Sequence, residues 1–114
     1  QRLPRLIGET RAKQLIFTGQ TISAQTALEW GLVNSVQTAG TLLEETLALA
    51  AAIAQNSPFA VSRAKRSVNG GREMLPEEAL EWERDLFGEC GDSRDRREGM
   101  TAFIEKRPRV FTGE

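Results

Sequence analysis

Glycine and proline residues interrupt this 114-residue sequence at short intervals, and between them apolar residues recur at helical spacing. The segment 76–87 is the clearest example. Leu75 just before it and Ala79, Trp82 and Leu86 within it stand at intervals of four, three and four. Such spacing places the apolar side chains on one face of a helix and the charged side chains on the others. The sequence therefore predicts a chain built mainly from short helices.

Local signals set the ends of these helices. Short polar residues that can accept a hydrogen bond from the first turn precede three of them: Ser23, Ser57, and either Asp92 or Ser93. Gly19 is expected to end the first helix, and Gly88 and Gly91 to break the chain before the last. The predicted helices cover residues 9–17, 23–31, 41–55, 58–69, 76–87 and 93–106. One short strand is predicted over residues 32–36, which are partly β-branched.

The composition excludes several classes of site. The sequence has no histidine and one cysteine, Cys90, so it cannot form a Ser-His-Asp triad, a histidine-ligated zinc site or an internal disulfide. The net charge is -1, and no apolar run approaches the roughly 18 residues of a membrane span. Charge therefore favours neither a nucleic acid nor a membrane as partner. A single thiol is typical of a reducing compartment, and we expect a cytoplasmic protein.

Two charged segments have a simple structural interpretation. Glu77, Glu78 and Glu81 could suggest a metal site or an acid–base pair, but glutamates also favour the first turn of a helix and a solvated face. Nothing nearby indicates the burial that raises a carboxylate pKa. The run 94–98 interleaves arginines with acids at spacings that favour ion pairs. We therefore expect no metal site and no nucleic-acid surface.

The segment 99–108 carries a less common combination. Phe103 and Lys106 are three residues apart, so on a helix they would share a face. A ring beside a cation can line an apolar cavity while the ammonium group reaches a phosphate. Alternatively, Phe103 packs in the core and Lys106 lies on the surface. The two residues alone leave both interpretations open.

A series of short sequence blocks extends over nearly the whole chain. The blocks are residues 1–8, 12–19, 22–27, 31–34, 56–58, 64–65, 96–100, 102–103 and 105–108. In this order and spacing they resemble the crotonase superfamily, the enoyl-CoA hydratase/isomerase proteins. The resemblance implies a mainly α chain, the C-terminal helical region of the crotonase fold over residues 1–114, with about six helices and one short strand.

The resemblance also implies which part of the family's chemistry the chain carries. It covers roughly the last two fifths of a family member, whose reaction is hydration of a trans-2-enoyl-CoA to a 3-hydroxyacyl-CoA. The family's catalytic glutamates and its oxyanion-binding N–H pair lie upstream of the block that matches residues 1–8. We therefore expect no catalytic residue in this chain. Because it begins with Gln1 and not with methionine, we expect a piece of a longer protein.

Auxiliary roles follow for three residues. Phe87 and Phe103 match family positions that line the acyl pocket, and Lys106 matches a lysine that reaches the phosphate region of coenzyme A. Acyl-CoA would be the substrate of the parent enzyme, and no cofactor is expected. The family's C-terminal helices also assemble subunits into trimers and dimers of trimers, so we expect a homo-oligomer. The alternative is a free-standing helical module that self-associates without catalysis.

Overall fold

The computed structural model describes residues 1–114, and their regular structure is entirely helical. The prediction of a mainly α chain is therefore confirmed. The seven helices are α1 (Arg2–Ile7), α2 (Glu9–Thr18), α3 (Ala24–Glu29), α4 (Leu42–Ala54), α5 (Pro58–Gly71), α6 (Pro76–Gly91) and α7 (Arg94–Glu105). The chain divides into two compact units, residues 1–46 and residues 47–114.

The predicted caps define the helix ends. Ser23, Ser57 and Ser93 each accept a hydrogen bond at Oγ from the backbone N–H three residues later, at 3.0, 3.1 and 3.1 Å respectively. These bonds satisfy donors that an uncapped first turn would leave unpaired. Gly19 ends α2 in the left-handed conformation, with φ of 64°. Capping by short polar side chains and glycine therefore specifies these boundaries locally.

The predicted strand over residues 32–36 is wrong. The segment forms a turn and bends after α3, and the N–H of Leu32 donates to the carbonyl oxygen of Ala27 at 2.9 Å. A strand needs a neighbouring strand to accept and donate its backbone hydrogen bonds. No second extended segment of the chain pairs with these residues, so the β-branched composition does not produce a strand.

Two other boundaries differ from the prediction. α6 continues through Gly88 to Gly91, because a single glycine costs a helix only about 1 kcal/mol and α6 packs along α5. α1 is not predicted from the sequence, since Pro4 lies within so short a segment. Proline is tolerated in the first turn of a helix, and the Pro4 carbonyl accepts the N–H of Gly8 at 3.0 Å.

The packing of α5 on α6 organises residues 47–114. The helices approach closely where a Cβ at Gly70 would lie 3.0 Å from Nε1 of Trp82, so a larger residue would displace the indole. On the same helix pair, Arg63 Nε lies 2.7 Å from a carboxylate oxygen of Glu89. The guanidinium of Arg63 also lies 3.9 Å from the ring centroid of Phe59. Close backbone approach and a partly buried ion pair together fix this contact.

Few apolar side chains are buried in either unit. They are Ile7, Ala12 and Ala27 in residues 1–46, and Leu86 and Ala102 in residues 47–114. α4 contains no buried residue, although its sequence is apolar on almost every side. A helix with that composition is normally covered by other protein. The apolar surface of this chain is therefore much larger than its own core accounts for.

A buried carboxylate ties the C-terminal tail to the helices. Asp95, in the first turn of α7, is 2% exposed. Its carboxylate accepts hydrogen bonds from the hydroxyl of Ser57 at 2.5 Å, the N–H of Thr112 at 2.8 Å and the N–H of Gly113 at 3.1 Å. Its own N–H donates to the carbonyl oxygen of Glu114 at 3.0 Å. One side chain thus joins the start of α5, the start of α7 and the tail.

A second carboxylate of α7 holds the chain just after the helix. Glu98 accepts two parallel bonds from the guanidinium of Arg107, at 2.6 and 2.7 Å, and the N–H of Val110 at 2.9 Å. Arg107 also donates from Nε to Glu105 at 2.7 Å. Bidentate geometry of this kind is the strongest form of the arginine–carboxylate bond. It fixes the direction in which the tail leaves α7.

These hydrogen bonds lower the pKa of both Asp95 and Glu98. Burial alone would raise the pKa of Asp95 and is the largest single influence on it. The bonds from Ser57, Thr112 and Gly113 together outweigh burial, so the pKa lies below its usual value. Donation from Arg107, helped by the N–H of Val110, lowers the pKa of Glu98 to about 2. Both side chains are therefore ionised at neutral pH.

We expect Asp95→Asn to lower the Tm of the chain by about 5 °C or more, because an amide presents one acceptor and one donor where three donors now converge. Thermal unfolding followed by circular dichroism at neutral pH measures the effect. Asp85→Asn makes the same chemical change on the exposed part of α6 and should leave the Tm almost unchanged. An Asp95→Asn chain as stable as the parent would contradict the assigned role.

Acid should weaken the fold through protonation of Glu98. The pKa of Glu98 is lower in the folded chain than its ordinary value of 4.5, so its bonds stabilise the fold above pH 4.5. That contribution is lost as the pH falls from 4.5 to about 2. Urea unfolding across this window should show a shallower loss of stability for Glu98→Gln than for the parent. Glu77→Gln, on an exposed part of α6, is the control and should keep the parental slope.

Candidate functional site

An open apolar groove is the main concave feature of residues 47–114. Its volume is about 740 Å³, within the range of small-molecule sites. The groove is bounded by the start of α5, the last turns of α6, one face of α7 and the tail. Its apolar and small lining residues include Ala60, Phe87, Gly91, Met100, Phe103 and Phe111. Such a surface can bind an aliphatic chain by excluding water from it.

The structure brings the two predicted aromatic residues together. Phe87 near the end of α6 and Phe103 near the end of α7 line the same groove. Their side chains are 77% and 85% exposed, although phenylalanine normally buries most of its surface. Neither residue packs in the core of residues 47–114. The two rings instead form exposed walls available to another molecule.

Lys106 lies outside α7. The helix ends at Glu105, and Lys106 is its C-terminal cap in the left-handed conformation, with φ of 52°. Its N–H donates to the carbonyl oxygens of Ala102 and Phe103. Phe103 and Lys106 therefore do not share a helix face, and the prediction from their spacing is wrong on this point. A left-handed lysine costs energy that glycine would avoid, and such residues concentrate at functional positions.

Sequence reasoning missed other lining residues. Phe111 lies beyond the last predicted helix, which ends at residue 106, yet it forms part of the groove wall. Asp95 lies at the same part of the groove, and Cys90 lines it from α6 while half-buried. In the sequence, a single phenylalanine in the tail after a helix-ending proline is only a weak indication of a groove residue. Nothing local indicates that the tail folds back onto α7.

The two charged residues of the groove lining, Asp95 and Arg96, already make hydrogen bonds within the chain. All of the polar contacts of the Asp95 carboxylate are made within the chain, and its pKa lies below the usual value because these hydrogen bonds outweigh the effect of burial. A general acid requires the opposite shift, towards neutrality. Arg96, also in the lining, donates to the carbonyl oxygen of Gly91 at 2.6 Å. The apolar lining of the groove can bind and orient a ligand, whereas Asp95 and Arg96 stabilise the fold.

The glutamates of α6 behave as surface residues. Glu78 accepts the N–H of Leu75 at 3.3 Å and so caps α6, while Glu81 lies 3.7 Å from Arg84. In the run 94–98, Arg94 pairs with Glu114 in the tail and not with an acid of its own helix. No three acidic, cysteine or histidine side chains converge as metal ligands would. None of the helices combines the length and apolar character needed to cross a membrane.

Comparison with known proteins agrees with the sequence blocks. The family model for enoyl-CoA hydratase/isomerase matches residues 1–114. The chain is 46% identical over 107 residues to the short-chain-enoyl-CoA hydratase of Clostridium acetobutylicum, covering 94% of this chain and 41% of that protein. It is 43% identical over 111 residues to the mitochondrial enoyl-CoA hydratase of Pongo abelii, covering 97% and 38%.

Solved structures give the same result for the fold. An enoyl-CoA hydratase from Bacillus anthracis superposes with a TM-score of 0.97 at 44% identity, covering 100% of this chain and 44% of that one. The chain thus spans about two fifths of the length of the relatives it matches. Sequence and fold agree over the whole of its length. The chain therefore belongs to the enoyl-CoA hydratase/isomerase family.

Proposed function

We propose that residues 1–114 act as the C-terminal part of an enoyl-CoA hydratase-like enzyme, where they close the acyl pocket, contact coenzyme A and join subunits. The observation that carries this proposal is the apolar groove with its two exposed rings, Phe87 and Phe103. Exposed aromatic side chains on a groove of this size are costly in water and gain most from an aliphatic ligand. The relatives named above are hydratases of enoyl-CoA, whose acyl chain is such a ligand.

Lys106 is the proposed contact for coenzyme A. Its ammonium group is exposed, and its backbone is held where α7 ends, three residues after Phe103. A lysine there can attract a phosphate group while the ring of Phe103 covers the adjoining apolar part of the ligand. The backbone of the next residue is fixed by the pairing of Arg107 with Glu98. The cation therefore starts from a defined point three residues beyond Phe103, although Lys106 itself does not line the groove.

The proposed reaction places the chemical step outside this chain. Hydration of a trans-2-enoyl-CoA adds water across the double bond, with one carboxylate as base, another as acid, and N–H groups holding the enolate oxygen. We assign those groups to the part of the relatives that lies beyond the matched segment. The groove carboxylate of this chain, Asp95, is fully engaged in hydrogen bonds. The chain would contribute binding and exclusion of water from the acyl group.

A second candidate function rests on α4. All of its side chains are exposed, including Leu43, Leu47 and Ile53. An apolar helix without cover favours association with other protein, which fits both an enzyme part and a free-standing helical module that only self-associates. The two functions differ in one respect. Only the enzyme part should restore hydration when the rest of a hydratase is supplied.

The direct test is a fusion. The 114-residue chain replaces the matched segment of the Clostridium acetobutylicum short-chain-enoyl-CoA hydratase, behind the residues that precede that segment. We expect the fusion to hydrate crotonyl-CoA and the chain alone to show no turnover. A soluble, folded fusion without activity would favour the module, and turnover by the chain alone would contradict the placement of the chemistry elsewhere.

In that fusion, Lys106→Ala should raise the KM for crotonyl-CoA on the order of tenfold with little change in kcat, because a charge-assisted phosphate contact is lost in ground and transition states alike. Lys65→Ala removes an exposed lysine of α5 and is the matched control. Initial rates over a range of substrate concentrations separate the two constants. An unchanged KM in Lys106→Ala would contradict the proposed contact.

The chain alone should self-associate at micromolar concentration, because the surface of α4 is apolar and uncovered. Sedimentation velocity measures the oligomeric state. Leu43→Glu together with Leu47→Glu should shift the chain towards monomer, whereas Thr46→Glu, a charge added at a polar position of the same helix, should shift it less. A parent chain that sediments as a clean monomer would contradict the proposal.

A further inference from the structure

The ring of Phe111 closes one part of the groove. Its Cε1 and Cζ atoms would lie 3.5 and 3.7 Å from a Cβ on Gly99, so the ring rests directly on the surface of α7. The guanidinium of Arg109 lies 5.6 Å from the ring centroid. The ring is only partly buried, and its free part faces the groove. Phe111 thus forms a wall where the groove would otherwise continue between the tail and the helix.

The backbone on both sides of this ring is anchored. The preceding N–H, of Val110, donates to Glu98 at 2.9 Å, and the following N–H, of Thr112, donates to Asp95 at 2.8 Å. The two carboxylates are three residues apart on α7 and so lie on one face of it. Phe111 cannot move away from α7 without loosening at least one of these charge-assisted bonds. The wall is therefore a fixed feature of the groove.

The position of the wall along the groove can be read from α7. Phe103, Gly99 and Asp95 follow each other at four-residue intervals, so they form one row with about 6 Å between neighbours. Exposure falls along this row from 85% at Phe103 to 2% at Asp95. A ligand that enters beside Phe103 therefore meets Phe111 one helical turn later, above Gly99. Phe111 also borders a second pocket, of about 330 Å³, which is lined by Ala54, Gln55, Pro108 and Arg109.

We propose that Phe111 is a specificity-determining residue that limits the length of the acyl chain in this groove, and that Asp95 is the positioning residue that holds it there. The inference rests on the proposed function of the groove as an acyl site. A short chain ends before the ring, whereas a longer chain has to displace it and to break the anchors on either side. Removing the ring extends the groove, and loosening the anchor lets the ring move aside.

The test compares crotonyl-CoA with trans-2-decenoyl-CoA as substrates of the fusion described above. Phe111→Ala should raise the ratio of kcat/KM for the longer substrate over the shorter one by about tenfold or more, since discrimination by a few methylene groups in an apolar pocket reaches that size. Asp95→Asn should raise the ratio in the same direction but by less. Val110→Ala alters a neighbouring side chain that is 69% exposed and should leave the ratio unchanged.

The outcomes separate the two proposals. An unmodified fusion without activity contradicts the proposed function and overturns this inference with it. An active fusion whose ratio stays within twofold in Phe111→Ala overturns the inference alone. If Phe111→Ala fails to fold by circular dichroism, Phe111→Leu, which keeps an apolar side chain but shortens the wall, carries the test with the same expected direction. A general loss of activity for both substrates in Asp95→Asn, at constant ratio, contradicts the positioning role.

Discussion

The structure of residues 47–114 depends on the buried carboxylate of Asp95. Burying a charge is unfavourable unless donors surround it, and here a hydroxyl from the start of α5 and two N–H groups from the tail do so. The same arrangement gives the tail a fixed place without any strand or disulfide. Ser57 both caps α5 and donates to Asp95, so the start of one helix and the position of another are set by a single hydroxyl group.

The groove is a consequence of this arrangement. Because the tail is drawn onto α7, Phe111 covers Gly99 and the groove acquires a closed part. In the part of the groove away from Phe111, Phe87 and Phe103 stay exposed because nothing in residues 47–114 packs over them. An aliphatic ligand would therefore find apolar walls at its entry and a fixed ring further in. The ring is held there by the bonds from the N–H groups of Val110 and Thr112 to Glu98 and Asp95.

The sequence allowed the helices to be predicted because their signals are local. A serine cap acts within three residues and a left-handed glycine within one, so Ser23, Ser93 and Gly19 could be interpreted without knowing the fold. The prediction of a strand at residues 32–36 is wrong because a strand depends on a partner strand, which local sequence does not reveal. The prediction that Phe103 and Lys106 share a helix face is wrong because α7 ends at Glu105, one residue before Lys106. The role of Phe111 depends on bonds to Asp95, which is 16 residues away in the sequence.

The distribution of polar and apolar groups explains why binding and chemistry can be assigned to different parts of a protein in this family. The carboxylates of Asp95 at the groove and of Glu98 beside the tail are ionised and already bonded within the chain. Raising the pKa of either group towards neutrality, as acid catalysis requires, would weaken the bonds that hold the groove wall. A carboxylate cannot serve both purposes at once. Asp95 and Glu98 therefore stabilise the tail and the groove wall and are not poised to act as acid or base.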